Sequence, residues 1–148
     1  MNAALNPPPP STHCSYQLLI RVEAPATVRV GALGVHRFDA GWYLYTGSAR
    51  RSLTARLTRH LRREKKLRWH IDHLLAAPGV TVTGWRTSAR SECAWNRAIG
   101  GKVVMPGFGA SDCRSGCGAH LKRLSDSKGC ELQARFHSPS TKTRPPGR

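Results

Sequence analysis

Short apolar and alternating segments in the first third of the chain predict β-strands. Residues 16–22 form an apolar run that ends in a polar turn, and residues 27–30 and 42–46 cluster or alternate strand-favouring residues. Glycines that can supply the positive φ of tight connections separate these segments: Gly31, Gly34 and Gly41. This part of the sequence therefore predicts three strands joined by glycine-containing turns.

The apolar period changes to that of a helix after residue 51. Leucines spaced four apart then share one face, at Leu53, Leu57 and Leu61. Ser52 precedes them and can cap the helix start, because its hydroxyl can accept a hydrogen bond from a first-turn amide. The pattern predicts an amphipathic helix whose leucine face packs into a core.

The next fifty residues alternate helix and strand signals. A helix over residues 68–77 would place Trp69, Leu74 and Leu75 inward and would end at the Pro-Gly pair of residues 78–79. A fourth strand over residues 80–86, a third helix over 91–99 and a short last strand over 102–104 follow. Together these elements predict a single α/β domain.

Both ends of the chain lack the apolar periodicity of a folded segment. Residues 7–10 are consecutive prolines, which favour an extended polyproline conformation. The residues after 124 are mostly polar and include several prolines and basic side chains. We therefore expect a disordered proline-rich tail over residues 1–12, a domain over 13–124 and a disordered basic tail over 125–148.

The charge of the chain is strongly positive. Its 148 residues include 24 Lys and Arg against 8 Asp and Glu, a formal net charge of +16, which is typical of proteins that bind polyanions. No segment has the roughly 18 consecutive apolar residues that cross a bilayer, and the start lacks the order of a signal peptide. We expect a soluble, cytoplasmic protein with reduced thiols and no membrane attachment.

The densest run of positive charge lies between residues 50 and 68, where only Glu64 opposes it. Like charges at this density repel one another unless a polyanion neutralises them. A solvated helix face is the alternative interpretation. The run predicts contact with nucleic-acid phosphates from Arg50, Arg51, Arg59, Arg62, Arg63, Lys65, Lys66 and Arg68.

Several ordered motifs resemble the GIY-YIG nuclease superfamily. Residues 45–47 read Tyr-Thr-Gly and are followed by Ser48, Arg56 and His60, which is similar to the second half of that pattern. Residues 41–50 (GWYLYTGSAR), 69–72 (WHID) and 107–113 (GFGASDC) more closely resemble an uncharacterised branch of the superfamily that is sometimes joined to endonuclease III. The resemblance covers roughly residues 13–121. It implies a small central, mainly antiparallel sheet flanked by helices.

The resemblance also implies a set of site residues. Tyr16 would be the tyrosine of the first motif, although Cys14 stands where glycine is usual; the alternative is Tyr43. Tyr16 is preferred because the two motifs belong on separate strands, and Tyr43 shares a strand and a face with Tyr45. Tyr45 would be the tyrosine of the second motif, and Arg56 would stabilise charge on the scissile phosphate. His60 would contact the same phosphate or merely lie on a solvated helix face. Glu92 would be the ligand of Mg²⁺ or Mn²⁺.

The implied activity is metal-dependent hydrolysis of DNA phosphodiester bonds, with a DNA-repair enzyme as a possible partner. A non-catalytic nucleic-acid-binding module is the alternative, and an RNA-binding role is a third hypothesis. The tyrosines would orient or deprotonate water, which needs help from the cation and nearby arginines because a phenol titrates near about 10.

The five cysteines form an odd set, which disfavours a disulfide framework. Cys113, Cys117 and His120 are of metal-ligating types, and His70 or His73 would complete a tetrahedral zinc site. Because no second closely spaced pair completes the set, the sequence favours plain thiols packed in a loop over zinc.

Overall fold

The computed structural model describes residue 5 and residues 8–49, 51–62, 65–110, 113 and 116–139. The strands are β1 (Ser15–Val22), β2 (Ala26–Arg29), β3 (Val35–Phe38), β4 (Gly41–Ser48), β5 (Val80–Ser88), β6 (Lys102–Val103) and β7 (Leu121–Leu124). The helices are α1 (Leu53–Leu61), α2 (His70–Leu75), α3 (Glu92–Ala98) and α4 (Asp126–Gln133). The longest of these described helices has nine residues, and none is long and apolar enough to cross a membrane.

Five strands form one antiparallel sheet in the order β5-β1-β4-β7-β6, and β2 and β3 form a separate hairpin. This confirms the predicted α/β fold with a mainly antiparallel sheet flanked by helices. The central pair is β1 and β4, which align from Ser15 opposite Ser48 to Val22 opposite Gly41. The start of β1 and the end of β4 therefore lie at the same end of the sheet.

Apolar side chains are buried on both faces of the sheet, which explains the nearly continuous apolar run of β1. Leu18 and Ile20 belong to the larger core, together with the buried apolar residues of α1 and α2. Leu19 points to the opposite face, where it packs in a smaller core with Leu44 and with Leu132 of α4. The sheet is thus the middle layer between helices.

Side-chain hydrogen bonds to backbone amides define the starts of the first two helices. The Ser52 hydroxyl accepts a hydrogen bond from the Ala55 amide at 3.0 Å, which confirms the predicted cap of α1. Helix α2 is shorter than predicted, because Asp72 accepts hydrogen bonds from the amides of Arg68 and Trp69 and so fixes its start after Trp69.

The C-terminal segment corrects the prediction of disorder after residue 124. Helix α4 is capped by the Ser125 hydroxyl, and Leu132 and Phe136 pack in the smaller core. Gly129 lies against the Trp42 ring, where a Cβ atom would clash. This helix buries few apolar residues, so it lacks the strong periodicity on which the sequence prediction relied. Residues 140–148 of the predicted tail lie outside the described residues.

Three further features of the structure differ from the predictions. Strand β3 and its pairing with β2 were not predicted, because β3 is mostly exposed and carries only a weak apolar pattern. Strand β7, which joins β4 to the short β6, was also missed. At the other end of the chain, Leu5 lies within the predicted disordered tail of residues 1–12 but is buried in the larger core.

Candidate active site

Two tyrosines meet at the end of the sheet where β1 begins and β4 ends. Tyr16 of β1 lies opposite Gly47 of β4, and its ring centroid is 6.2 Å from that of Tyr45. A Cβ atom on Gly47 would lie 2.5 Å from the Tyr16 hydroxyl oxygen, so a side chain there would displace the ring. The glycine of the Tyr-Thr-Gly motif therefore makes room for the Tyr16 ring. This ring is then the diagonal neighbour of Tyr45 across the two strands.

Helix α1 brings His60 onto the same tyrosine. A 2.7 Å hydrogen bond joins the Tyr16 hydroxyl and Nε2 of His60, and both side chains are buried. Burial, reinforced by the positive charge of Lys65, lowers the pKa of His60 to about 3. Burial also raises the pKa of Tyr16, although the Arg56 guanidinium opposes this shift. Both groups are therefore neutral near neutral pH, which favours an orienting role for Tyr16 over direct proton abstraction.

Arg56, Ser48 and Glu92 form the solvent-facing side of this cluster. The Arg56 guanidinium donates to the Ser48 carbonyl at 3.0 Å, and the Ser48 hydroxyl donates to Oε1 of Glu92 at 2.7 Å. Burial raises the pKa of Glu92, but hydrogen bonds from His120 and Ser48 outweigh it and hold the pKa below its usual value. Glu92 is therefore ionised, and its side chain is 24% exposed.

The charges of Arg56 and Glu92 both act on the Tyr16 hydroxyl. The structure thus brings together the five residues proposed from the sequence, which we call the candidate site: Tyr16, Tyr45, Arg56, His60 and Glu92. Tyr43, the alternative first-motif tyrosine, lies in the same core but its hydroxyl donates to the Asp39 carbonyl instead. Ser48, the residue that links Arg56 to Glu92, was quoted in the motif but given no role.

Trp69 is a contributor to the site that the sequence analysis assigned only to the core. Its ring lies under three guanidinium groups, with the carbon of Arg56 at 4.4 Å, that of Arg59 at 4.3 Å and that of Arg68 at 5.4 Å from the centroid. Cation–π attraction of this kind orients an arginine without neutralising it. Trp69 therefore positions Arg56 and connects the site to neighbouring basic residues.

Four of the predicted nucleic-acid-binding residues are exposed and form what we call the basic surface: Arg51, Arg62, Lys66 and Arg68. Two others serve the fold. Arg59 donates to both carboxylate oxygens of the buried Asp72 and to the Lys66 carbonyl. Lys65 donates to the backbone carbonyls of Arg59, His60 and Arg62 at the end of α1, where a helix leaves carbonyls without intrahelical partners. The last two predicted residues, Arg50 and Arg63, lie outside the described residues.

A second group of polar side chains lies beside Glu92. Cys93 of α3 joins Cys113, Cys117 and His120, which we call the cysteine–histidine cluster. Three of these residues were identified from the sequence as metal-ligating types, with His70 or His73 of α2 as the fourth ligand of such a set. His70 instead accepts a hydrogen bond from the Gly109 amide at 2.8 Å, and neither it nor His73 belongs to the cluster. Cys93 was missed because it is distant in sequence from the other three residues, and the fold alone brings α3 beside them.

Comparison with known proteins identifies a family but no characterised relative. No curated protein and no solved structure matches the chain. The sequence model of one family matches residues 15–140, which span every strand from β1 onward and all four helices, including α4. The chain therefore belongs to the family described as domain of unknown function DUF123.

Proposed function

We propose that the protein is a GIY-YIG-like nuclease that hydrolyses phosphodiester bonds of DNA in a metal-dependent reaction. The observation that carries this proposal is the convergence of the candidate site from β1, β4, α1 and α3 at one end of the sheet. A buried tyrosine–histidine pair beside a partly exposed arginine and carboxylate combines charge stabilisation with hydrogen-bonding groups, as phosphate chemistry requires.

Arg56 is the residue proposed to stabilise charge on the scissile phosphate. Its guanidinium is partly exposed, and it is held in place by the Ser48 carbonyl and the Trp69 ring. A guanidinium presents a planar fork that matches two phosphate oxygens, whereas an ammonium does not. Arg56 therefore binds the phosphate in a fixed orientation.

Glu92 is the residue proposed to hold Mg²⁺ or Mn²⁺. Its carboxylate is ionised and partly exposed, as a ligand of a hard cation must be. Hydrogen bonds from Ser48 and His120 occupy one site on each oxygen, and a carboxylate offers about four lone-pair sites, so further acceptor capacity remains. When bound, the cation would supply charge stabilisation and would acidify a coordinated water.

The neutral Tyr16–His60 pair is proposed to orient the attacking water and the phosphate. Because its pKa is raised by burial, the Tyr16 hydroxyl keeps its proton and can donate or accept a hydrogen bond at a fixed position. Tyr45 packs against both rings and restricts their orientation. The basic surface would hold the flanking DNA through its phosphates, and RNA with the same backbone charge is an alternative substrate.

A cleavage assay with matched tyrosine variants tests this proposal. Wild-type protein is incubated with Mg²⁺ or Mn²⁺ and a panel of duplex, branched and single-stranded DNAs. Tyr16→Phe removes the hydroxyl that bonds His60, whereas Tyr43→Phe removes one that bonds the Asp39 carbonyl away from the site. We expect Tyr16→Phe to lose most cleavage and Tyr43→Phe to retain it.

Arginine and glutamate variants test the charge roles. Arg56→Lys keeps the positive charge but loses the fork, so kcat should fall by about 10²–10³ while DNA binding changes little. Glu92→Gln should abolish metal-dependent cleavage and leave metal-free DNA binding near the wild-type value. Cleavage by both variants at the wild-type rate would show that these assignments are wrong.

A non-catalytic nucleic-acid-binding module is the second candidate function. The observation that favours it is the burial of Tyr16 and Tyr45, which limits their access to a substrate in this conformation. This function predicts tight DNA binding by the wild type with no cleavage of any tested DNA. It would act as an accessory to a separate enzyme, such as one of DNA repair.

A further inference from the structure

The cysteine–histidine cluster has the composition and spacing of a metal site. The four possible ligand atoms, the Sγ atoms of Cys93, Cys113 and Cys117 and a ring nitrogen of His120, all lie within 4.8 Å of one another. The Cys93 and Cys113 sulfurs are 3.6 Å apart, and Nε2 of His120 is 4.0 Å from the Cys93 sulfur. The geometry points to a site for one zinc ion bound by three thiolates and one imidazole.

These distances suit a tetrahedral ion. Zinc binds sulfur at about 2.3 Å and histidine nitrogen at about 2.0 Å, which separates the ligand atoms of a tetrahedron by about 3.5–3.8 Å. A disulfide requires sulfurs about 2.0 Å apart, and none of the five cysteines forms one. Three soft thiolates with one imidazole select zinc over the hard cations that prefer oxygen.

Glu92 orients the histidine of the cluster. Its Oε2 atom is 2.5 Å from Nδ1 of His120, so Nε2 is the nitrogen that faces the cysteines. A carboxylate bonded to the outer nitrogen of a ligating histidine fixes the ring and strengthens the inner nitrogen as a donor. The residues around the cluster thus provide the outer hydrogen bond that zinc-binding histidines use.

The elements that carry the cluster are already held together. The Asn96 side chain of α3 donates to the Ala119 carbonyl, and the Lys122 ammonium of β7 donates to the carbonyls of Asn96 and Ile99. Four protein ligands leave no open position, so this zinc is structural. It fixes Cys113, Cys117 and His120 to α3 and so holds the start of α3, where Glu92 lies.

Metal analysis and cobalt substitution test the site independently of any cleavage activity. Full-length protein without a histidine tag, purified from zinc-supplemented cells in reducing buffer, should contain about one zinc per chain. After removal of zinc with a chelator, added Co²⁺ should give the visible absorption of a tetrahedral cobalt–thiolate site. Protein that contains less than about a tenth of an equivalent of zinc and gives no cobalt spectrum would overturn the inference.

Cysteine variants assign the ligands. Cys93→Ser and Cys117→Ser should each lose the stoichiometric zinc, whereas Cys14→Ser and Cys130→Ser should keep it, because these two exposed thiols lie outside the cluster. His120→Cys keeps a four-ligand set and should retain about one zinc with stronger cobalt–thiolate absorption, which separates ligation from loss of folding. Equal zinc content in all five variants would overturn the assignment.

The role of Glu92 toward the cluster has its own readout. Glu92→Gln should weaken zinc affinity by about 10–100-fold in competition with a chromophoric chelator. Ser48→Ala removes the other hydrogen bond to Glu92 but not the one to His120, and should leave zinc affinity unchanged. If both variants bind zinc as the wild type does, Glu92 does not orient His120.

Discussion

At the scale of single residues, burial decides the protonation states in the candidate site. His60 lies among the cationic side chains of Lys65, Arg56 and Arg59, and the negative charge of Asp72 counters them in part. Its Nδ1 atom has no hydrogen-bond partner among the described residues, while Nε2 bonds the Tyr16 hydroxyl. A second proton on this ring would place a charge in the core, beside like charges. The native state therefore requires neutral His60.

This requirement predicts a pH dependence of stability. The folded-state pKa of His60 is about 3, below the ordinary value of 6.5, so the unfolded chain binds more protons between these values. The contribution of His60 to the free energy of unfolding is fully present above about pH 6.5 and is lost as the pH falls toward 3. Wild-type protein should thus lose stability from pH 6.5 to 4, and His60→Gln should lose less over this interval.

Urea denaturation at several pH values measures the difference. His36→Gln controls for the loss of a histidine as such, because His36 lies on the β2–β3 hairpin, where its ring meets that of Phe38 edge to face. We expect His36→Gln to follow the wild-type profile. Parallel profiles for wild type and His60→Gln would contradict the assigned pKa shift.

Residue-level chemistry was partly accessible from the sequence. Tyr45, Arg56 and Glu92 were proposed together because their types match a motif, and the fold brings them to one end of the sheet. Cys93 and Trp69 could not be assigned their contacts in advance. Their partners are distant in sequence or lie on another helix. The hydrophobic periodicity of a segment predicts its own secondary structure but not its contacts with such distant residues.

At the scale of elements, one buried carboxylate joins the first two helices. The Asp72 side chain of α2 is 0% exposed, and it pairs with the Arg59 guanidinium of α1, which is 18% exposed. The same carboxylate accepts the Arg68 and Trp69 amides at the start of α2. Asp72 thus satisfies donors on both sides of the α1–α2 connection, and Arg59 in turn supports Trp69.

Removal of this charge should be strongly destabilising. Asp72→Asn keeps the shape but leaves the Arg59 charge without its partner, so the free energy of unfolding should fall by about 3 kcal/mol. Asp39→Asn is the matched control, because Asp39 pairs with Arg37 at 3.3 Å but is 57% exposed, and its loss should be below about 1 kcal/mol. Denaturant unfolding of both variants measures this contrast, and equal losses would contradict the structural role of Asp72.

Elements with strong patterns were predicted well, and those with weak patterns were not. The leucine face of α1 and the apolar run of β1 each bury a continuous surface, so their periods are visible. Helix α4 contributes few side chains to the smaller core, and its Gly129 is placed by contact with Trp42. A helix that is stabilised mainly by packing against a residue of another element has only a weak helical pattern in its own sequence.

At the scale of the whole molecule, positive charge dominates, but its distribution decides what it can bind. The net charge of +16 is spread over the chain, and part of the densest run is used inside the fold by Arg59 and Lys65. Arg68 of the basic surface shares the Trp69 ring with Arg56 of the candidate site. A phosphate backbone bound on this surface would therefore continue toward the residues proposed to act on it.

Salt dependence of DNA binding tests this distribution directly. For wild-type protein, log K should fall linearly with log salt, with a slope of about −0.9 for each neutralised duplex phosphate. Changing Arg62, Lys66 and Arg68 together to Ala removes three exposed cations of the basic surface. The slope should then fall by about one unit per lost contact, and binding to different DNA sequences should weaken similarly.

The matched control lowers the net charge by the same amount at three other exposed cations: Arg97 on α3, Lys102 on β6 and Arg135 after α4. Direct contacts with phosphates release counterions and so set the salt slope. Charges far from the DNA act through a long-range attraction that salt screens, so the control variant should keep nearly the wild-type slope. Equal reductions in the two triple variants would contradict a defined surface and leave net charge alone as the cause of binding.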